Sequence, residues 1–324
     1  MSLNKEQILT LTYLKEVGVK GVGPQKIFSI ARTIKDKNLD VKSFDDLAAV
    51  MRSMKEKVIH NVTFSDLCNA NQFAHKIIEV SEACGIGYVG FYDDDFPSIL
   101  RQTINEDGKL DPPLILWYRG NFSITELPGI AVIGTREATP EGVAGGEFLS
   151  GQFAKRGFNI VSGLSVGCDT CGHKGALKVI GSTTAILANG LDHDSIYPPE
   201  NQDLAEEIVE NGGLLMSEYR IGSIVNRYNL VARDRLQVGL SSATLVVQTG
   251  VNGGTMHAAT TTLKANKPLF VMYYKDPAIN NHEKCLGNAL LVRQGAKYVS
   301  GGDDVDTISV FIKNYKPIKT DLFG

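Results

Sequence analysis

Two short segments of the chain bring together residue types that can hold a phosphate. Gly134-Thr135-Arg136 places a glycine, a hydroxyl and an arginine side by side, and Ser162-Gly163-Leu164-Ser165-Val166-Gly167 runs into Asp169 with the same glycine and hydroxyl chemistry. Glycine lets the backbone turn sharply and approach a ligand. Hydroxyls and free amides can satisfy phosphate oxygens, and the guanidinium of Arg136 is a planar fork that stays charged. Other groupings invite sharper chemistry. Cys168 and Cys171 form a CxxC with His173 close behind, the kind of cluster that can be a redox pair or a metal site. No second ligand pair stands out and the histidine falls one residue too late for haem attachment, so both cysteines read as packing residues, with no metal or cofactor assigned. Asp169 and His173, four apart, share a helix face and could form an acid–base couple. They read instead as a helix cap and a packed imidazole that shape the glycine loop. Asp192-His193-Asp194 reads as a polar loop. Asp93-Asp94-Asp95 reads as a solvated turn, because the spaced ligands and trailing glutamate of a calcium loop are missing.

The elements that must position these groups are strands. Residues 130–133, 158–161 and 184–187 are short, continuous, β-branched apolar runs, as expected for strands buried on both faces. Each is followed by a helix-period segment and then another strand, the succession of a parallel, doubly wound α/β sheet. Residues 213–219, 243–250 and 268–273 read as further strands. An open parallel sheet binds ligands outside the carboxyl ends of its strands, which is where both glycine loops fall.

Ahead of the sheet, Ile8, Leu9, Leu11 and Leu14 mark one helical face, and Ile27, Ile30 and Ala31 another, with Gly18-Val19-Lys20-Gly21-Val22-Gly23-Pro24 between them. The arrangement is similar to a helix-hairpin-helix, but the motif is short and its basic residues are few (Lys20, Lys26), so it reads as a connection that turns the chain. Helical patterns over 43–54 and 65–83 complete a small helical domain. The expected organisation is a helical domain of the sterile-alpha-motif or helix-hairpin-helix kind at 1–84, an extension at 85–128, a Rossmann-like domain at 129–312 and a short tail at 313–324.

With 43% hydrophobic residues, 21% charged and a net charge of −3 over 324 residues, the chain has an ordinary globular balance and no global attraction for a polyanion. A nucleic-acid site therefore has to be a local basic patch. The first residues lack a secretory layout and no apolar run reaches the length of a bilayer span, so a cytoplasmic protein without membrane contact is expected. Five scattered cysteines fit free thiols in a reducing compartment.

In order and spacing, these segments resemble the DprA/Smf family of DNA-processing proteins. The resemblance runs through Gly134-Thr135-Arg136, the 162–169 loop with His173, Gly175, Ala176 and Leu177, Gly190-Leu191-Asp192, Tyr197-Pro198, Asn201, Ser217-Glu218-Tyr219, Arg233-Asp234-Arg235, Asn252-Gly253-Gly254-Thr255 and Gly287-Asn288-Ala289-Leu290. It implies an extended Rossmann-like sheet and a non-enzymatic role. Family members bind single-stranded DNA as homodimers and help load the RecA recombinase during DNA uptake in natural transformation. Carried over, the resemblance puts Arg136 on a backbone phosphate, lines the pocket floor with Ser162 and Gly163, adds Arg233 and Arg235 from strand-end loops, and makes an amide cradle of Asn252, Gly253, Gly254 and Thr255.

Several residues depart from the family pattern. Asp234 stands where asparagine is usual, and Leu230 and Val231 replace an aromatic and a proline, so a base-stacking platform is lost unless Tyr228 or Tyr219 substitutes. Tyr273-Tyr274 replaces Pro-Gly, and no winged-helix-like domain follows, as in a divergent or minimal member. The same fold also serves nucleotide hydrolases of the lysine-decarboxylase-like group and could serve defence or mobile-element proteins. The hydrolases need a glutamate after their glycine-glycine-threonine loop, where Met256-His257-Ala258-Ala259 supplies none.

Overall fold

The computed structural model describes residues 3–314 and divides into two compact units. The first takes in the described residues up to Phe96 together with Pro113–Trp117. It holds α1 (Lys5–Thr12), α2 (Pro24–Asp36), α3 (Phe44–Ser53), α4 (Lys57–His60), α5 (Phe64–Ala83) and β1 (Ile86–Gly90), while β2 (Ile115–Gly120) carries the chain into the second unit. Helix starts are set by side chains. Asn4, Ser43 and Thr63 each accept an amide three residues on, in capping boxes closed by Gln7, Asp46 and Asp66. Pro24 opens α2, where its missing N–H costs nothing. The apolar stripe Ile8, Leu11, Leu14, Ile27 and Ile30 is fully buried. Of the two lysines at the glycine connection, Lys26 is paired with Glu56 at 2.9 Å, which leaves little there to attract a phosphate.

The second unit comprises Pro97–Pro112 and the described residues from Tyr118 on. Its elements are β3 (Gly129–Ile133), α6 (Pro140–Lys155), β4 (Asn159–Ser162), α7 (Cys168–Leu177), β5 (Thr183–Leu187), α8 (Gln202–Glu210), β6 (Leu214–Ser217), α9 (Arg227–Leu240), β7 (Ala243–Val246), α10 (Thr255–Lys264), β8 (Leu269–Met272), α11 (Pro277–Asn280), α12 (Leu286–Arg293), β9 (Lys297–Val299) and α13 (Gly302–Asn314). These strands pair in parallel in the order β6-β5-β4-β3-β7-β8-β9. The sheet is the doubly wound one that the alternating runs predict. Its order reverses between β3 and β7, where Ile130 faces both Ile160 and Ala243, and a reversal of this kind opens a crevice at the strand ends.

Both faces of the sheet are covered. Val132, Ile160 and Leu245 pack with Phe153 and Phe158 on one side, and Ala131, Ile133 and Val246 pack with Ala258, Ala259 and Leu291 on the other. Two-sided burial explains why the strands read as unbroken apolar runs. Each buried phenylalanine contributes roughly 1.5–3 kcal/mol. The sequence pattern did not point to β9, whose three residues include exposed Lys297 and Tyr298. From residue 315 the expected tail lies outside the described residues. Among the described residues no helix is long and apolar enough to cross a membrane.

The C-terminus of α9 is held by one side chain. Lys267 Nζ donates to the carbonyls of Val238 (2.8 Å), Gly239 (3.0 Å) and Ser241 (2.7 Å). Burial pushes this amine down to about 7, while three carbonyls match the three donors of an ammonium at a helix end that favours positive charge. Lys267→Met leaves these acceptors unpaired and is expected to cost roughly 1–3 kcal/mol. Urea unfolding checks this, and an unchanged midpoint would show that the cap contributes nothing.

Candidate functional site

The loop leaving β3 is fastened on both sides. Thr135 N–H donates to Gln248 O (2.8 Å), just past β7, and Cys168 N–H, at the start of α7, donates to Thr135 O (3.1 Å). The backbone passes so close here that a Cβ on Gly134 would lie 2.4 Å from Cys168 Sγ and 2.7 Å from Gln248 O, so the position takes only glycine. The tethering spends the amide of Thr135 inside the protein, and the hydroxyl of Thr135 accepts from Glu137 N–H (3.2 Å). It delivers Arg136, exposed, to the crevice. Arg136 forms no ion pair among the described residues.

The loop leaving β4 is built around a buried guanidinium. Arg233, only 4% exposed, donates through one Nη to Gly163 O (2.7 Å) and to Ile186 O. A Cβ on Gly163 would sit 2.0 Å from that nitrogen. Leu164, fully buried with φ 64°, has its carbonyl held by Asn201 Nδ2 (2.7 Å), and Asp169 accepts from Ser165 N–H (3.2 Å) and from the Ser165 hydroxyl. The strained backbone is therefore fixed by named partners.

Three expectations need correcting. Arg233 and Arg235 are not on strand-end loops but within α9. Arg235 is engaged by Asp111 (2.6 Å) and Glu218 (2.7 Å), with its side chain 10% exposed, so it ties α9 to its surroundings and has no free fork for a phosphate. Ser162 does not line the floor. It is fully buried and its hydroxyl donates to Val132 O across the β3–β4 pair.

A crevice of about 530 Å³ opens where the sheet order reverses, walled by the ends of β3 and β7, the first turns of α9 and the start of α10. Gly134, Thr135, Arg136, Arg233, Gly253, Gly254 and Thr255 all reach it, whereas Asn252 is exposed and Gly163 lies at an adjoining pocket that shares Arg136 and Arg233. Thr255 begins α10, whose N-terminal amides and dipole favour an anion. Arg227 and Lys284 also line the crevice. Their only sequence signal was basic charge, since neither lies in a glycine loop. Lys284 is paired with Glu137 at the mouth, while Arg227 is exposed and forms no ion pair among the described residues.

A carboxylate stands beside the buried guanidinium at the floor. Asp234 Oδ1 lies 3.2 Å from Arg233 Nε, without the alignment of a hydrogen bond, and accepts from Gln237 Nε2 (3.0 Å). Burial pushes its carboxyl up to about 6, against the pull of Arg233 and with a further push from Asp169.

The clusters that invited sharper chemistry are packed. Cys168 and Cys171 are buried in the core beneath α6, and burial raises both thiols, Cys168 to about 12. His173 Nδ1 lies 2.7 Å from the hydroxyl of Thr183, which itself donates to Ile160 O (2.8 Å), so the imidazole carries its proton on Nδ1. Burial first and Arg233 second push His173 down to about 3. A neutral imidazole hydrogen-bonded away from Asp169 is no partner for it in proton transfer. Asp192 braces its own loop, accepting from Gly222 N–H (2.8 Å) and the Ser195 hydroxyl (2.7 Å).

A family model described as DNA recombination-mediator protein A matches residues 87–309. Protein Smf of Synechocystis sp. is 31% identical over 300 residues, spanning 91% of this chain and 71% of that protein. The X-ray structure of DNA processing protein A from Streptococcus pneumoniae is similar with a TM-score of 0.73 at 23% identity, over 95% of this chain and 98% of that one, a likeness of fold. DNA processing protein A from Helicobacter pylori, solved to describe its single-stranded DNA binding mode, is similar with a TM-score of 0.58 at 29% identity, over 71% of this chain and 97% of that one.

Two outcomes test the geometry. Gly163→Ala must displace the Arg233 guanidinium and is expected to cost about 1–3 kcal/mol by overpacking, read by thermal unfolding; an unshifted midpoint would mean that Arg233 is free to move. Below about 6, Asp234 takes a proton and its repulsion of an anion ends. Binding of dextran sulfate, whose own charge is constant from pH 5 to 8, should tighten on the order of fivefold as pH falls, one unit charge at ~4 Å in water being worth about 1 kcal/mol. In Asp234→Asn that step is removed, while His257 on the same wall stays in both proteins. An equal pH step in the two would place the titrating group elsewhere.

Proposed function

Since the chain belongs to the DNA recombination-mediator protein A family, that of the DprA and Smf DNA-processing proteins, we propose that its crevice binds the sugar-phosphate backbone of single-stranded DNA. The observation that carries this reading is the convergence of two exposed arginines without an ion pair among the described residues, Arg136 and Arg227, with the N-terminus of α10 on one crevice at the reversal of the sheet. Exposed guanidinium forks and the positive end of a helix dipole suit phosphate oxygens whatever the base sequence. Arg233 acts as a positioning residue, with its charge spent on backbone carbonyls.

In this reading the protein handles incoming single strands and helps load a RecA-type recombinase on them, acting as a homodimer in the cytoplasm and as a binding protein without a catalytic step. The DNA-processing names of its relatives and the binding mode described for the Helicobacter pylori protein support the handling of single strands. The residues after the glycine loop speak against a nucleotide hydrolase. His257 points its Nδ1 at Glu106 (3.0 Å), and Ala258 and Ala259 are buried in the core, so no glutamate follows the loop to assist a departing base.

Titration of a labelled oligonucleotide across salt concentrations tests the proposal. Binding should weaken linearly on a log–log plot, with Arg136→Ala and Arg227→Ala each lowering affinity about tenfold and each flattening the slope by about one. Ser162→Ala, inside the sheet, should leave the slope alone. Salt-independent binding, or arginine variants that bind like the parent chain, would remove the site.

A further inference from the structure

An ion pair crosses the mouth of the crevice. Glu137, directly after Arg136, and Lys284, from the segment between α11 and α12, both line the crevice and hold each other across it. The backbone fixes both lips. Glu137 N–H donates to the Thr135 hydroxyl (3.2 Å). The chain around Lys284 is tied down by Cys285 N–H donating to His282 O (2.8 Å) and Gly287 N–H donating to Thr249 O (2.9 Å), just past β7. Any change at the mouth therefore falls to the side chains, and these are unequal. The side chain of Glu137 is 77% exposed, whereas that of Lys284 is 26% exposed. A lysine stem packed along the protein holds its ammonium at the mouth, and the carboxylate is the partner that can swing into water. Their hydrogen bond pulls the Glu137 carboxyl down and the Lys284 amine up, so both are charged at neutral pH. Glu283, 3.9 Å from the same ammonium, is too distant to hydrogen-bond to it and does not replace Glu137.

A carboxylate and a phosphate offer an ammonium the same kind of charged oxygen acceptor. An ion pair this exposed contributes little to stability, so exchanging its anion for another costs the fold little. A strand anchored on Arg136 brings its next phosphate to the neighbouring position at a high effective concentration, and the residue next to Arg136 is the one that covers the ammonium. We infer that Lys284 is a further phosphate contact, covered by Glu137 in the free protein and uncovered when the strand displaces that carboxylate. The inference rests on the single-stranded DNA reading and adds to it how the mouth responds to the strand. It also accounts for an acidic residue at the entrance to a polyanion site: in the free protein Glu137 stands in for a phosphate.

A water-soluble carbodiimide reads the exchange on the full chain, because it joins a carboxylate and an amine in contact as an amide and takes up the water as its own urea. The Glu137–Lys284 amide is expected in a digest of the free protein, and a saturating thymidine oligonucleotide without terminal phosphates should suppress it. The Lys26–Glu56 pair, 2.9 Å apart in the first unit, should crosslink equally with and without the strand. Binding across salt concentrations gives a second readout. Glu137→Gln is expected to tighten binding on the order of fivefold, the effect of one unit charge at ~4 Å in water. In that background no carboxylate is left to be uncovered, so Lys284→Met reports the lysine alone and should cost about tenfold and flatten the slope by about one. A Glu137–Lys284 crosslink that persists undiminished under the bound strand, or is absent from the free protein while Lys26–Glu56 forms, overturns the inference. So does Lys284→Met without effect in the Glu137→Gln protein. If any of these occurs while Arg136→Ala still weakens binding, the DNA site stands without this contact. If the parent protein does not bind the strand at all, the DNA reading falls and the exchange with it.

Discussion

Arg233 leaves water at the second turn of α9 and gives its guanidinium to the carbonyls of Gly163 and Ile186, at the ends of β4 and β5. Removing such a charge from water costs several kcal/mol, and the cost is offset only by well-placed acceptors and a nearby opposite charge. The two carbonyls and Asp234 at 3.2 Å supply these. Three features of the site follow from this one contact. Gly163 has room for no side chain, the start of α9 is brought over the strand ends where it forms one wall of the crevice, and the imidazole of His173, neutral first through burial, is pushed further from protonation. A surface arginine is free to change rotamer when a ligand arrives. This one is fixed before any ligand is present.

The chain as a whole is slightly acidic, and even the crevice is mixed, with Glu137, Asp169 and Asp234 among its cations. What distinguishes it is which charges remain unspent. Lys284 is paired with Glu137, Asp169 is turned onto Ser165, and Arg233 is occupied by backbone. Arg136 and Arg227 are exposed and unpaired among the described residues, and a cation whose partner is water loses little when a phosphate replaces that water. Counting basic residues along the sequence gives no sign of this difference, because it depends on side chains brought in from other elements.

The parallel sheet was legible because its strands are buried on both faces, so that Ile130 to Ile133 and Ala243 to Val246 read as continuous apolar runs without alternation. The start of α2 was legible from its proline, which is a local signal, whereas the helical patterns over 43–54 and 65–83 did not single out the caps at Ser43 and Thr63. The glycine loops were legible for the same reason: Gly134 answers to contacts that any side chain would violate. The state of the arginines was not. Arg235 looked like a ligand contact from its neighbours in sequence, yet Glu218 and Asp111, 17 and 124 positions away, hold it. Arg227 had no glycine beside it to draw notice. Ser162 sits in a phosphate-like motif but at a strand position whose side chain points to a neighbouring strand, and the period of two that decides this cannot be read from an unbroken apolar run.

The aspartate at 234 has a physical logic beside Arg233. An asparagine there would leave the guanidinium compensated by carbonyl dipoles alone, and some of its positive potential would extend into the crevice to meet a ligand. The carboxylate cancels that potential at short range, at the cost of its own desolvation, which is why burial pushes its pKa up to about 6. Buried Arg233 and half-buried Asp234 then nearly cancel at the floor, and the attraction for a polyanion moves outward to Arg136 and Arg227 at the rim. In the proposed reading, neutralising the floor shifts recognition from a deep phosphate seat towards contacts made at the rim by Arg136 and Arg227.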